Sequence, residues 1–155
     1  MATPTTISSP TDLETLLSTT DYTLIDFWAT WCPPCKAIAP LFNSLASDNS
    51  VPSQLAFAKV DVDAQAQIAK HYKISAMPTF LLVERGGAVK KAVRGADPKA
   101  IKWLVEYARK KSKGEKVGEK DEEMFSQTEF GDGGGGGLVM PILLIAFAVW
   151  YFFLK

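Results

Sequence analysis

Thiol and imidazole are scarce in this chain: two cysteines and one histidine in 155 residues. A structural zinc normally takes four Cys or His ligands. Cys32, Cys35 and His71 do not fill that set, so a tetrahedral centre within one chain is excluded and only a site shared between two chains stays open. Net charge is missing as well. Lysine plus arginine and aspartate plus glutamate both number 17, which leaves no electrostatic footprint for nucleic acid as a partner. The opening stretch "MATPTTISSPTDLE" has neither a basic start with an apolar run nor the arginines of a transit peptide. The folded part is therefore expected in the cytosol, where thiols are kept reduced and a permanent structural disulfide is uncommon. No internal repeat is visible.

What the chain does have falls into three regions. Residues 1–111 mix apolar runs and helical stripes as a single α/β domain does, at a length that buries a core without metal or disulfide support. Residues 112–137, "SKGEKVGEKDEEMFSQTEFGDGGGGG", are charged, then polar, then glycine alone. Residues 138–154 are apolar.

Within the first region, Ser9-Pro10 reads as a helix cap, and Leu13, Leu16 and Leu17 follow at i, i+3, i+4. "YTLIDFW" (22–28) is a nearly continuous apolar run, suited to a strand covered on both faces. Ile38, Leu41, Phe42 and Leu45 recur at helical spacing after Cys35. "LAFAKVDVD" (55–63) predicts a second buried strand and "AQAQIAKHY" a short helix. "TFLLVERGGAVKKAVRG" predicts two strands joined at Gly86-Gly87. Ile101, Leu104, Val105 and Ala108 predict a last amphipathic helix from about Asp97-Pro98. The order (β)αβαβαββα implies a mixed sheet flanked by helices.

Both cysteines sit in "WATWCPPCK", at the passage from strand to helix. The first turn of a helix carries unpaired N–H groups and the positive end of the dipole, so a thiol at Cys32 is stabilised as the nucleophilic thiolate. Cys35 lies one turn along, placed to attack a mixed disulfide at Cys32 and leave the pair oxidised. Prolines are tolerated at such helix starts because the N–H they lack had no partner there. An inert pair in an apolar core is the competing reading. Pro33, Pro34 and Trp31 argue against it by predicting an exposed turn.

Asp26 interrupts an otherwise apolar strand, where burial raises a carboxyl pKa. It either faces a polar loop at the strand end or accepts the proton of Cys35, directly or through water, with Lys59 on the neighbouring strand as its partner. "SAMPTF" places Pro78 directly before a strand. An X-Pro bond there is trans in most chains, but a cis bond in a tight turn leaves the backbone of Met77 free to pair with a peptide alongside.

Taken together, "DFWATWCPPC", "KVDVD", "AMPTF" and "GGAVKKAVRG" resemble thioredoxin, in order, over about residues 5 to 111. The resemblance implies a thioredoxin fold and protein-disulfide reductase activity, with Cys32 as nucleophile and Cys35 as resolving thiol. It implies that Asp26 and Lys59 are the family's buried acid and lysine, and that Pro78 is its cis-proline facing the cysteines. It also implies a substrate-docking surface of Trp31, Pro33, Pro34, Met77, Pro78 and Gly95. No cofactor is expected to bind. The partners implied are disulfide-containing proteins and an NADPH-dependent flavoprotein reductase. The family's usual motif has glycine where this chain has Pro33. That substitution removes a backbone donor and stiffens the loop, which predicts a shifted reduction potential. Tryparedoxin and nucleoredoxin share the Pro-Pro pair and are the nearest enzymatic alternative. A membrane adaptor with the same fold and no catalysis is another, and an isomerase in an oxidising lumen a third.

Leu138 through Leu154 carry no charge. At ~1.5 Å per residue the run spans about 26 Å, the lower limit for a single transmembrane helix, with Trp150 and Tyr151 near its far end as interfacial aromatics. It is expected to anchor the chain by its tail in the endoplasmic reticulum or the outer mitochondrial membrane, the domain facing the cytosol. A processing signal for a lipid anchor would need entry to the secretory pathway. The composition of 112–137 suits a tether, reaching about 28 Å as a coil.

Overall fold

The computed structural model describes residues 2–118. Their elements are β1 (Thr5–Thr6), α1 (Pro10–Thr19), β2 (Tyr22–Trp28), α2 (Pro33–Asn49), β3 (Leu55–Asp61), α3 (Ala66–His71), β4 (Thr79–Glu84), β5 (Val89–Arg94) and α4 (Pro98–Ser112). The order matches the sequence pattern. The apolar run at 55–63 ends as a strand at Asp61, because Asp61 Oδ1 turns back to accept the N–H groups of Asp63 and Ala64. The apolar run at 138–154 and most of the 112–137 segment lie outside the described residues. Among the described residues no helix is long and apolar enough to cross a membrane.

Local chemistry sets the helix starts. Ser9 Oγ accepts the N–H of Asp12, and Asp97 Oδ1 accepts those of Lys99 and Ala100, each satisfying donors that have no intrahelical partner. Pro10 and Pro98 sit in first turns, where their missing N–H costs nothing. Gly86 and Gly87, both at positive φ, close the β4–β5 hairpin, a backbone that side chains with a Cβ avoid.

The sheet order is β1-β3-β2-β4-β5. β3 runs parallel to β1 and β2, whereas β4 is antiparallel to β2 and β5. Strand periodicity of two then sorts the side chains. Leu24, Phe57, Phe80 and Leu82 pack with Ile38 and Phe42 of α2 and with Ile101 and Leu104 of α4. Ile25, Phe27, Val60, Leu81 and Val83 pack with Leu13 and Leu17 of α1 and Ile68 of α3. Both faces of the sheet are covered, which is why β2 and β4 read as continuous apolar runs. Phe42 is the hub of the first layer, its ring 5.6 Å from that of Phe57 and 5.7 Å from that of Phe80.

This alternation has a consequence for the charged residues. Asp26 has the parity of Leu24, and Lys59 that of Leu55 and Phe57, so both point into the layer shared with α2 and α4. Parallel pairing sets Asp26 directly against Lys59.

Candidate active site

β2 delivers the chain to Trp28, and four residues later Cys32 caps α2 in an extended conformation. Its sulfur accepts the backbone N–H of Cys35 at 3.3 Å, and its carbonyl accepts the N–H of Lys36 at 3.3 Å. Pro33 and Pro34 fill the two positions between and donate nothing. Cys32 and Cys35 are joined as a disulfide, S–S 2.06 Å. His71 lies on α3 with its ring against Tyr72, and the cysteines are bonded to each other. Among the described residues no group of three or more His, Cys, Asp or Glu is placed to hold a metal.

The expected exposed turn needs a correction. Trp31 is 61 % exposed and both prolines face solvent, but Cys32 and Cys35 retain only 3 % and 4 % of their accessibility. They pack with Ala29, and Trp28, Val62 and Met77 close over them. A turn that is open in its connecting residues thus holds its sulfurs in an apolar setting.

The Met77–Pro78 peptide is cis. Pro78 is buried, Met77 half-buried against the disulfide, and the Pro78 carbonyl accepts the N–H of Gly95 at 2.8 Å. Gly95 has φ +94°, a region closed to most side chains. Cys32, Cys35, Met77, Pro78 and Gly95 therefore belong to one end of the sheet, with Trp31 beside them. Trp31 is fixed in place by its indole N–H, which donates to Asp63 Oδ2 at 2.9 Å.

Asp26 sits below this surface. It does not face a polar loop: it is 1 % exposed in the middle of β2. Lys59 Nζ approaches Oδ2 only to 3.9 Å, beyond hydrogen-bonding distance, and Oδ1 has no partner. Burial pushes the Asp26 carboxyl up from 3.8 to about 7, against a downward pull from Lys59. The same Lys59 ammonium lies 5.1 Å from the centre of the Trp28 ring. The group is thus poised to gain or lose a proton near neutrality, on the face of the sheet that α2 covers.

Three contributors were not singled out from the sequence. Trp28 and Val62 are apolar residues in apolar runs and carry no local mark. Asp63 did carry one, as a carboxylate two residues beyond another at a strand exit, but nothing in the pattern ties it to an indole 32 positions earlier.

A disulfide across the first turn of a helix, beside a cis-proline loop and above a buried carboxyl, defines a dithiol–disulfide exchange protein. Residues 5–107 match the thioredoxin family. The chain is 48 % identical over 99 residues to a thioredoxin-like protein of Fusarium culmorum, covering 61 % of this chain and 82 % of that one. A solved thioredoxin structure from Malassezia sympodialis superposes with a TM-score of 0.62 at 37 % identity, covering 70 % of this chain and 92 % of that one. A bifunctional thioredoxin reductase/thioredoxin of Mycobacterium leprae is 42 % identical over 85 residues, covering 55 % of this chain and 18 % of that protein. The chain belongs to the thioredoxin family, and it is a thiol–disulfide oxidoreductase.

Proposed function

We propose that this chain is a membrane-tethered protein-disulfide reductase in which Cys32 attacks and Cys35 resolves. The observation that carries the catalytic part is the position of Cys32 at the cap of α2, its sulfur on the Cys35 N–H. That donor and the helix dipole favour the thiolate once the bond is reduced. The Cys32 thiolate attacks one sulfur of a substrate disulfide, forming a mixed disulfide and expelling a substrate thiolate. Cys35 then gives up its proton, attacks Cys32 Sγ and releases the second substrate thiolate. Two electrons pass to the substrate, and the Cys32–Cys35 bond holds the oxidised state.

Asp26 is the acceptor proposed for the Cys35 proton. Its raised pKa lets it take a proton near neutral pH, and Lys59 steadies its charged form. The substrate lies across Trp31, Pro33, Pro34, Met77, Pro78 and Gly95, pairing with the Met77 backbone. Turnover needs an external reductant, for which an NADPH-dependent flavoprotein reductase is the proposed source. The Mycobacterium leprae relative, named as a fusion of thioredoxin with thioredoxin reductase, supports that pairing. The intact Cys pair speaks against a purely adaptor role.

Residues 138–154 are proposed as the anchor, in the endoplasmic reticulum or outer mitochondrial membrane, and 112–137 as its tether, concentrating reductant near membrane-protein thiols. Two measurements test this reading. Cys32→Ser should abolish insulin-disulfide reduction, and Cys35→Ser should accumulate a mixed disulfide through Cys32; retained turnover in Cys32→Ser overturns the catalytic assignment. Deleting 138–155 should leave that activity intact and release the protein from membranes. If the truncated chain still pellets with membranes, the anchor is wrong.

A further inference from the structure

A groove of about 550 Å³ runs away from the disulfide along α3. Val62, Ala69, Ile74 and Met77 contribute its apolar lining, and Lys70 and Lys73 its only charges. Val62 and Met77 also cover the cysteine pair, so groove and disulfide share a wall. No carboxylate lines it. Asp61 and Asp63, just before α3, lie outside the groove's lining; Asp61 accepts the N–H groups of Asp63 and Ala64, and Asp63 that of the Trp31 indole, neutral donors that leave both charges in place. Lys70 and Lys73 are exposed and form no ion pair among the described residues.

Lys73 is also held in an uncommon backbone. Its φ is +51°, in the left-handed turn that ends α3, where the Ile74 N–H reaches the Ala69 carbonyl. Glycine or asparagine takes that conformation at lower cost. A lysine there carries a backbone cost, and it lines the groove.

We infer that Lys70 and Lys73, on this groove beside the docking surface, make reduction fastest for substrates with acidic residues in the polypeptide flanking the target disulfide. The occupant is an extended acidic stretch of the substrate, on two grounds: the groove is continuous with the disulfide surface, and its charge is of one sign. The inference rests on the dithiol exchange proposed above. The chemistry is unchanged, with two electrons passing from the Cys32/Cys35 dithiol to the substrate disulfide; the lysines act on substrate capture.

The test uses the full chain, reduced beforehand, and peptide disulfides that differ only in carrying glutamate, glutamine or lysine pairs beside the target cysteine. Two exposed ion pairs, each worth about twofold to threefold, give the glutamate peptide a kcat/KM about fivefold above the glutamine peptide, with the lysine peptide slowest. The preference should shrink as salt rises. Lys70→Glu combined with Lys73→Glu should invert it. Lys73→Gly, which relieves the backbone, should fold at least as well and lose part of it. Bis(2-hydroxyethyl) disulfide, small and neutral, should be reduced at one rate by all of these chains. Equal rates on the glutamate and glutamine peptides, or a preference that survives double charge reversal, overturn the inference. Failure of the unaltered chain to reduce even the small disulfide instead overturns the exchange reading beneath it.

Discussion

Replacing Asp26 with asparagine should stabilise the domain, and by an amount set by pH. The carboxyl is 1 % exposed, has one oxygen without a partner, and meets Lys59 only at 3.9 Å. Burial holds its pKa at about 7 in the folded chain, against 3.8 in an open one. The folded state therefore binds this proton more tightly than the unfolded state does. Between those two values the native chain holds more protons, so stability falls as pH rises through the window. At ~1.4 kcal/mol for each tenfold change in proton affinity, the full penalty is about 4 kcal/mol above pH ~7 and nothing below pH ~4. An asparagine side chain has nearly the same shape and never ionises. The Asp26→Asn variant should match the parent near pH ~4 and exceed it increasingly toward pH ~8, with relaxation and water entry trimming the ceiling. The assay is urea unfolding of both chains with the disulfide kept oxidised, across that range. Even half the expected effect, at an m of ~1–2 kcal/mol per M, moves the midpoint by about 1 M or more. A stability difference between the two proteins that does not change with pH would refute the argument, because it would mean Asp26 is not charged at a cost.

Two further outcomes follow from the same geometry. Pro33→Gly restores an amide N–H in the first turn, where Cys32 Sγ now has the Cys35 N–H as its donor. The restored N–H and the freed backbone change the first turn in which the cysteines sit, so the reduction potential of the pair should shift. Titration against a glutathione buffer measures this, and an unchanged potential contradicts it. Phe42→Ala removes the ring that meets Phe57 and Phe80 at a fully buried position. It should cost about 3–5 kcal/mol in chemical denaturation while leaving the spectral signature of the fold; a loss below ~1 kcal/mol would mean that the layer repacks.

The chain order of elements was legible where they carried a local mark: the serine and aspartate caps before Pro10 and Pro98, the two-sided apolar run of β2, the paired glycines of the hairpin; β1, two threonines long, carried none. The cysteine pair was legible for the same reason, since its spacing and its place at a strand-to-helix passage are written in consecutive residues. Other features depended on contacts between distant positions. The pattern left Asp26 either at a polar strand end or buried; only the pairing of β2 with β3 and β4 around it decided for burial. The turn read as exposed from Trp31, Pro33 and Pro34, yet the sulfurs are covered by Val62 and Met77, which come from two later loops. Whether Met77–Pro78 is cis was open in the residues alone; the structure has it cis, with the Pro78 carbonyl bonded to the Gly95 N–H.

By itself, then, the sequence determined the helices, the four longer strands and the dithiol, because propensity, capping and periodicity act over a few neighbouring residues. The tertiary structure alone decided how deeply Asp26 is desolvated, which carboxylate holds Trp31, and that Lys70 and Lys73 line a groove walled by the same Val62 and Met77 that cover the disulfide. Desolvation and charge pairing depend on what approaches from elsewhere in the chain, and that is known only once the sheet is assembled.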